Sequence, residues 1–254
     1  LKTITANGLS PSTATKTQFR TVLVATALLG AAAISTQGLV EGFKLLQAVL
    51  GYGNSLTITY LVGGTLATGS YIVIALTYLH YRPVAIHAPL RRPTRREVGW
   101  IAGGIIVAFV AAILIEVIGA MLGAAGAINF ATAAAVGNPV LVYGLLLVGN
   151  IVLIGPAEEL LFRGVIQGRL RESFGPAIAI GITSLGFTLS HVPSYWIGGS
   201  DLLTLGVLFA LLGIAAGGII LGTIYERTKN LTVVALIHGL INAIGVGIAL
   251  VTLL

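Results

Sequence analysis

No cysteine occurs anywhere in the 254 residues, and that absence removes disulfides, thiolate catalysis and cysteine-ligated metal sites together. Charge is scarce as well. Only 9% of the residues are charged while 56% are hydrophobic, whereas soluble domains carry about 25% charged residues. A water-soluble globule is therefore excluded. The net charge of +6 does not indicate a nucleic-acid partner. The basic residues sit in short connectors between apolar runs, where they set membrane orientation, and no basic face interleaved with aromatics exists.

What is abundant is glycine, at 34 residues, as expected where membrane helices approach closely. Gly213, Gly217, Gly218 and Gly222 form two overlapping GxxxG patterns that speak to packing. A spanning helix needs roughly 20 mostly apolar residues. A first run starts at Thr21, and six more lie near 56–79, 98–122, 138–168, 176–192, 202–222 and 231–252. The expectation is an all-α, polytopic bundle of about 7–8 spans, an integral multi-pass protein of the cell membrane with the lipid bilayer as its partner.

Residues 1–20, with Lys2, Lys16 and Arg20 and no apolar periodicity, read as a mobile tail. Ala31–Ala33 leave a cleaved signal peptide open as an alternative to a retained first helix. The remaining division is 21–137, N-terminal membrane helices, and 138–254, a catalytic helical core. The connector 81–97 holds Arg82, Arg91, Arg92, Arg95 and Arg96 and reads as a cytoplasmic loop. Alternation then places Arg169, Arg171, Arg227 and Lys229 on the same side, with the N-terminus inside. A true break at Gly155-Pro156 would add a span and invert the parity of everything before it. Two stretches, 40–55 and 123–137, read as interfacial or partly inserted.

Ionisable groups inside membrane helices cost several kcal/mol unless paired or hydrated, so each is a candidate for function. In the stretch 155–163, proline suits the first turn of a helix and Glu158 and Glu159 follow it. Glu159 and Arg163 stand at i, i+4 and can pair. Glu158 points about 100° away and keeps its carboxylate free. Phe187 and His191 are again one turn apart, as are His238 and Asn242. Counting back from the turn at 173–176, Glu159 and His191 reach similar depth, and His238 enters from the same side. All three elements converge in one layer.

Held together in a low-dielectric cavity, these groups suit hydrolysis. Burial raises a carboxylate pKa toward that of a general base working at neutral pH, which is the role open to Glu158. His191 can share or align the water, and His238 and Asn242 can donate to the oxyanion of an attacked amide.

The three motifs, Glu-Glu-x-x-x-Arg at 158–163, Phe-x-x-x-His at 187–191 and His-x-x-x-Asn at 238–242, resemble those of the CPBP family. These are CAAX-processing, Ras-converting-enzyme-type intramembrane endopeptidases, also described under an abortive-infection name. The resemblance covers about residues 138–250. It implies a glutamate-dependent protease with Glu158 and His191 on the water, His238 and Asn242 at the oxyanion, and Arg163 organising the glutamates. Phe187, with Phe162 of the first motif, is implied as a wall of the substrate cavity. The implied substrate is a membrane-associated peptide or a prenylated protein C-terminus, with no cofactor and no nucleic acid.

Blander readings stand beside these. Glu159 and Arg163 could be only a structural ion pair, His191 a helix cap, and His238 with Asn242 interhelical glue. A zinc site on Glu158, His191 and His238 is the alternative chemistry, although no His-Glu-x-x-His helix supports it. A carrier and an idle immunity or scaffold protein are alternatives of another class. Glu116 reads as a lone interfacial acid, His80 and His87 as solvated, and Tyr60, Tyr71 and Trp100 as interfacial anchors.

Overall fold

In a computed structural model the described residues are 11–53, 55–82 and 90–253, with side chains from residue 15 onward. His87, the first ten residues of the expected tail and the middle of the 81–97 connector lie outside them. The fold is all-helical, with no strand among the described residues. Eight helices follow in order: α1 (Pro11–Val49), α2 (Leu56–Tyr81), α3 (Arg95–Met121), the short α4 (Phe130–Ala135), α5 (Pro139–Arg171), α6 (Pro176–Ile197), α7 (Leu205–Thr228) and α8 (Leu231–Val251). All but α4 are long and apolar enough to cross a membrane, which makes seven candidate spans.

Two expectations are corrected at the N-terminal side. Helix α1 begins at Pro11, so residues 11–20 are helical and not a continuation of the tail; Gln18 and Thr21 reach Ser173 across the bundle. Residues 40–49 complete the same helix and are not a separate interfacial piece. The 123–137 stretch does contain a short element. Asn129 caps α4, which is tied down by Ser200 and Ser194 on Ile128 and Phe130 and by Thr57 on Ala134.

Gly155-Pro156 does not break the fourth span. Proline lacks the N–H that an α-helix needs and its ring crowds the carbonyl four residues back. Here the turn immediately before it, Asn150–Ile154, is π-helical, and the Gly155 N–H reaches Asn150 O. A second wide turn, Leu160–Gln167, follows the glutamates, with the Gly168 N–H on Arg163 O. Such turns are rare in helices and cluster at functional sites. Because the helix continues, the three basic connectors meet at one end of the bundle. Arg91 bonds Glu97 (2.5 and 2.8 Å) and Thr228 O (3.4 Å), and Arg171 bonds Glu226 (3.1 Å).

Packing turns the usual globular rule inside out. Ile106, Val107, Val110, Ile113, Leu114 and Val117 of α3 are exposed, as lipid-facing side chains are. Glu159, Arg163, Gln167 and Asn230 are completely buried. Helices α5 and α8 cross at a pair of glycines. A methyl group added at Gly155 would lie 2.8 Å from Ala235 O, and one at Gly239 2.6 Å from Asn150 O. No side chain larger than hydrogen fits there, and this approach brings His238 against the glutamates.

Candidate active site

The wide turns of α5, the middle of α6 and the glycine crossing of α8 bring the three motifs together. Glu159 is the centre of the buried layer. Its Oε1 accepts from Arg163 at 2.7 Å and from His238 Nδ1 at 2.8 Å. The other arm of the Arg163 guanidinium donates to Gly218 O of α7 at 3.1 Å, and its plane lies 4.7 Å from the Phe187 ring centre. Burying an ion pair is expensive unless its remaining hydrogen-bonding capacity is filled; here α7 and α8 each supply one bond, while Glu159 Oε2 and Arg163 Nε have no hydrogen-bond partner among the described residues.

Glu158 points about 100° away around the helix. It lines a cavity of about 670 Å³ together with Phe187, His191, His238 and Asn242. Its Oε2 is buried with no hydrogen-bond partner among the described residues and stands 3.7 Å from His238 Nε2. The two adjacent carboxylates thus have different situations. Glu159 is committed to protein donors, and Glu158 is left for what enters the cavity.

The two histidines are oriented by what their Nδ1 atoms touch. His191 Nδ1 lies 2.8 Å from Phe187 O. A carbonyl only accepts, so Nδ1 carries the proton, and in the neutral ring Nε2 is an acceptor. His238 Nδ1 likewise donates to Glu159, whose ion pair with Arg163 marks it as ionised. For His238 Nε2 to donate as well, the ring must be doubly protonated. In that state the cluster Glu158, Glu159, Arg163 and His238 has no net charge, which is the cheapest arrangement in a dry interior. The aromatic rings pack edge to face around this cluster, Phe187 on His191 (4.7 Å), His238 (5.8 Å) and Phe162 (5.0 Å).

Phe187 lines the cavity as expected. Phe162 does not: it is fully buried behind Phe187 and between that ring and Tyr71, because the second wide turn carries it to the α2 side of the helix. Tyr60 and Tyr71 are not interfacial anchors either. Both line the cavity, Tyr71 almost entirely buried with its hydroxyl accepting from Thr36 (3.3 Å) and Tyr60 edge-on to Phe130 (5.0 Å). Trp100 packs partly buried against the α7–α8 core, while Glu116 and His80 are exposed.

Asn150 and Gln167 were missed. Asn150 is buried, lines the cavity and donates to Leu146 O at 2.7 Å. Gln167 is fully buried, eight residues after Glu159 on the same helix. The signal for both was an amide inside an otherwise apolar run, where it needs a partner.

Zinc ligands would have to gather around one point. Among the described residues no three His, Asp or Glu side chains are grouped to hold a metal ion.

Residues 139–244 match the family model described as type II CAAX prenyl endopeptidase, Rce1-like, consistent with a CPBP family intramembrane protease. No curated protein and no solved structure matches the chain. All seven named residues of the three motifs fall inside the matched span, and the family supports an intramembrane protease for this domain.

Proposed function

We propose that the Rce1-like domain at residues 139–244 is a glutamate-dependent endopeptidase that cleaves membrane-associated peptides within the bilayer, without a metal. The observation behind this reading is the division of labour between neighbouring carboxylates, Glu159 locked to Arg163 and His238 and Glu158 open to the cavity.

In this mechanism a water in the cavity donates one hydrogen bond to Glu158 and the other to His191 Nε2, which leaves its lone pair for the carbonyl carbon. As the C–O bond forms, the proton passes to Glu158. The carbonyl oxygen becomes an oxyanion that His238 Nε2–H and the Asn242 amide stabilise. Collapse of the tetrahedral intermediate breaks the C–N bond, and Glu158 returns the proton to the leaving amine. Glu159 and Arg163 take no part in bond making; they hold His238 in place and keep its Nδ1 protonated.

The substrate class proposed is a lipid-anchored peptide segment, with a prenylated C-terminal segment as the form that the family description names. Purified protein in liposomes, offered membrane-anchored peptides with and without a prenylated cysteine, tests this by mass spectrometry of the products. Cleavage that persists in strong chelator supports the proposal. Activity lost in chelator and restored by zinc overturns the metal-free step, and no cleavage of any peptide overturns the protease reading.

The same proposal places the basic end of the bundle in the cytoplasm. In this cysteine-free chain, Thr94→Cys and Arg227→Cys are expected to label with an impermeant reagent from one and the same side, the cytoplasmic one. Labelling from opposite sides, or of both from outside, contradicts it.

A further inference from the structure

Helices α5 and α7 meet along a ladder whose rungs recur every four residues on both sides. On α5 the positions are Glu159, Arg163, Gln167 and Arg171; on α7 they are Gly218, Gly222 and Glu226. Arg163 donates to Gly218 O at 3.1 Å, Gln167 Nε2 donates to Gly222 O at 3.1 Å and to Glu226 Oε1 at 3.1 Å, and Arg171 Nε donates to the same Glu226 oxygen at 3.1 Å. Lys229 adds a bond to Glu226 Oε2 at 2.6 Å. Gly222 lets its rung close, since a methyl group there would lie 3.0 Å from Gln167 Oε1; one at Gly218 would lie 3.1 Å from the Ser184 side chain of α6.

The first three α5 rungs bracket the wide turn Leu160–Gln167. A π-helical turn replaces the i→i+4 bonds of the α-helix with i→i+5 bonds and is rare on its own, so contacts outside the helix help to hold its rotation. If that stretch relaxed to α-helix, the residues before and after it would turn relative to each other, and Glu159 could not stay on both Arg163 and His238. Gln167 is fully buried and makes its bonds to the partner helix.

We infer that Gln167 and Glu226 are positioning residues: they clamp the wide turn of α5 onto α7 and so hold Glu158, Glu159 and His238 in working register. The inference rests on the protease reading for its kinetic consequence but not for its structural one. Gln167→Leu, in the full chain in liposomes, should lower kcat by about 10- to 100-fold, the cost of misplacing reacting groups by about an ångström, with KM within about twofold. In protein with 15N-labelled histidine, the His238 Nδ1–H resonance should move while that of exposed His80 stays. The exchanged pair Gln167→Glu with Glu226→Gln restores a donor and an acceptor between the two side chains but not the bond to Gly222 O, which a carboxylate cannot donate, and should recover part of both. Arg169→Gln, which breaks only the surface pair with Glu172, should change neither.

The magnetic resonance arm holds even if no peptide is cleaved, so failure of the protease reading is distinguishable from failure of the clamp. If Gln167→Leu does not accumulate, Glu226→Gln should show the same pattern at smaller size. Wild-type kcat and an unmoved His238 resonance in the accumulating variant overturn the proposal. So does an exchanged pair that regains stability without regaining rate, since that is the behaviour of packing alone.

Discussion

The two halves of this bundle meet the same bilayer with opposite interiors. Helices α1 to α3 pack through small side chains, Ala25, Ala32, Ala67 and Ala75, and through neutral hydroxyl pairs such as Ser35 with Ser70 at 2.9 Å and Thr36 with Tyr71; their buried Glu97 lies at the basic end of the bundle, paired with Arg91. Helices α5 to α8 bury an arginine, a glutamate, a histidine and two amides. The difference shows where the chemistry is held. Charges inside a membrane protein stay only where others complete them, so the half from α5 to α8 carries its charged groups as one connected set. Helices α1 to α3, with α4, line the cavity with Tyr60, Tyr71, Phe109 and Phe130, a wall that is polar in places and uncharged.

If that contrast is right, the largest effects come from breaking the charged set. Arg163→Leu leaves Glu159 buried with one partner fewer, and removal of one member of a buried pair costs about 3–5 kcal/mol. The expected result is little or no folded protein after detergent extraction, by size-exclusion chromatography. Normal yield would remove Arg163 from the core of the site. Gly239→Ala is expected to come next, because its methyl would fall on Asn150 O. Overpacking of this kind costs about 1–3 kcal/mol and would push His238 away from Glu159, lowering melting temperature and activity together. Gly213→Ala, where a methyl meets nothing within 4 Å, should not lower the melting temperature.

Smaller in stability but large in rate are the oxyanion groups. Asn242→Ala should slow turnover by roughly 10²–10³ with little change in KM, and unchanged turnover would return Asn242 to the role of interhelical glue. Smallest of all is the neutral half. Ser35→Ala, which removes one exchangeable hydroxyl contact, should cost about 0.5–1.5 kcal/mol, and a loss of the size expected for Arg163→Leu would erase the distinction between the halves.

The seven spans and the meeting of the three motifs were legible because both depend on local quantities, apolar length and one-turn spacing. What could not be read depends on partners far along the chain. The phase of α5 is set by wide turns that leave no residue signature, so Phe162 turned away from the cavity it was expected to line. Tyr71, an aromatic residue in a membrane helix, carries no local mark that separates an interfacial anchor from a cavity wall; only Phe162 and Thr36 beside it decide the matter. The GxxxG pattern announced close packing, yet only Gly218 and Gly222 meet a neighbouring helix, while Gly213 and Gly217 face the cavity. Helix α1 reached back into a polar segment because the far end of α5 offers Ser173 to Gln18 and Thr21.

The most direct test is the single-turnover rate of Glu158→Gln in liposomes against wild type, with the His238 Nδ1–H resonance recorded on the same samples. The amide keeps the shape of the carboxylate but cannot take a proton, so the rate should fall by about 10²–10⁴ while the bond between His238 and Glu159 persists. A variant that cleaves at the wild-type rate, or one whose lost rate is matched by loss of that resonance, would contradict Glu158 as the base.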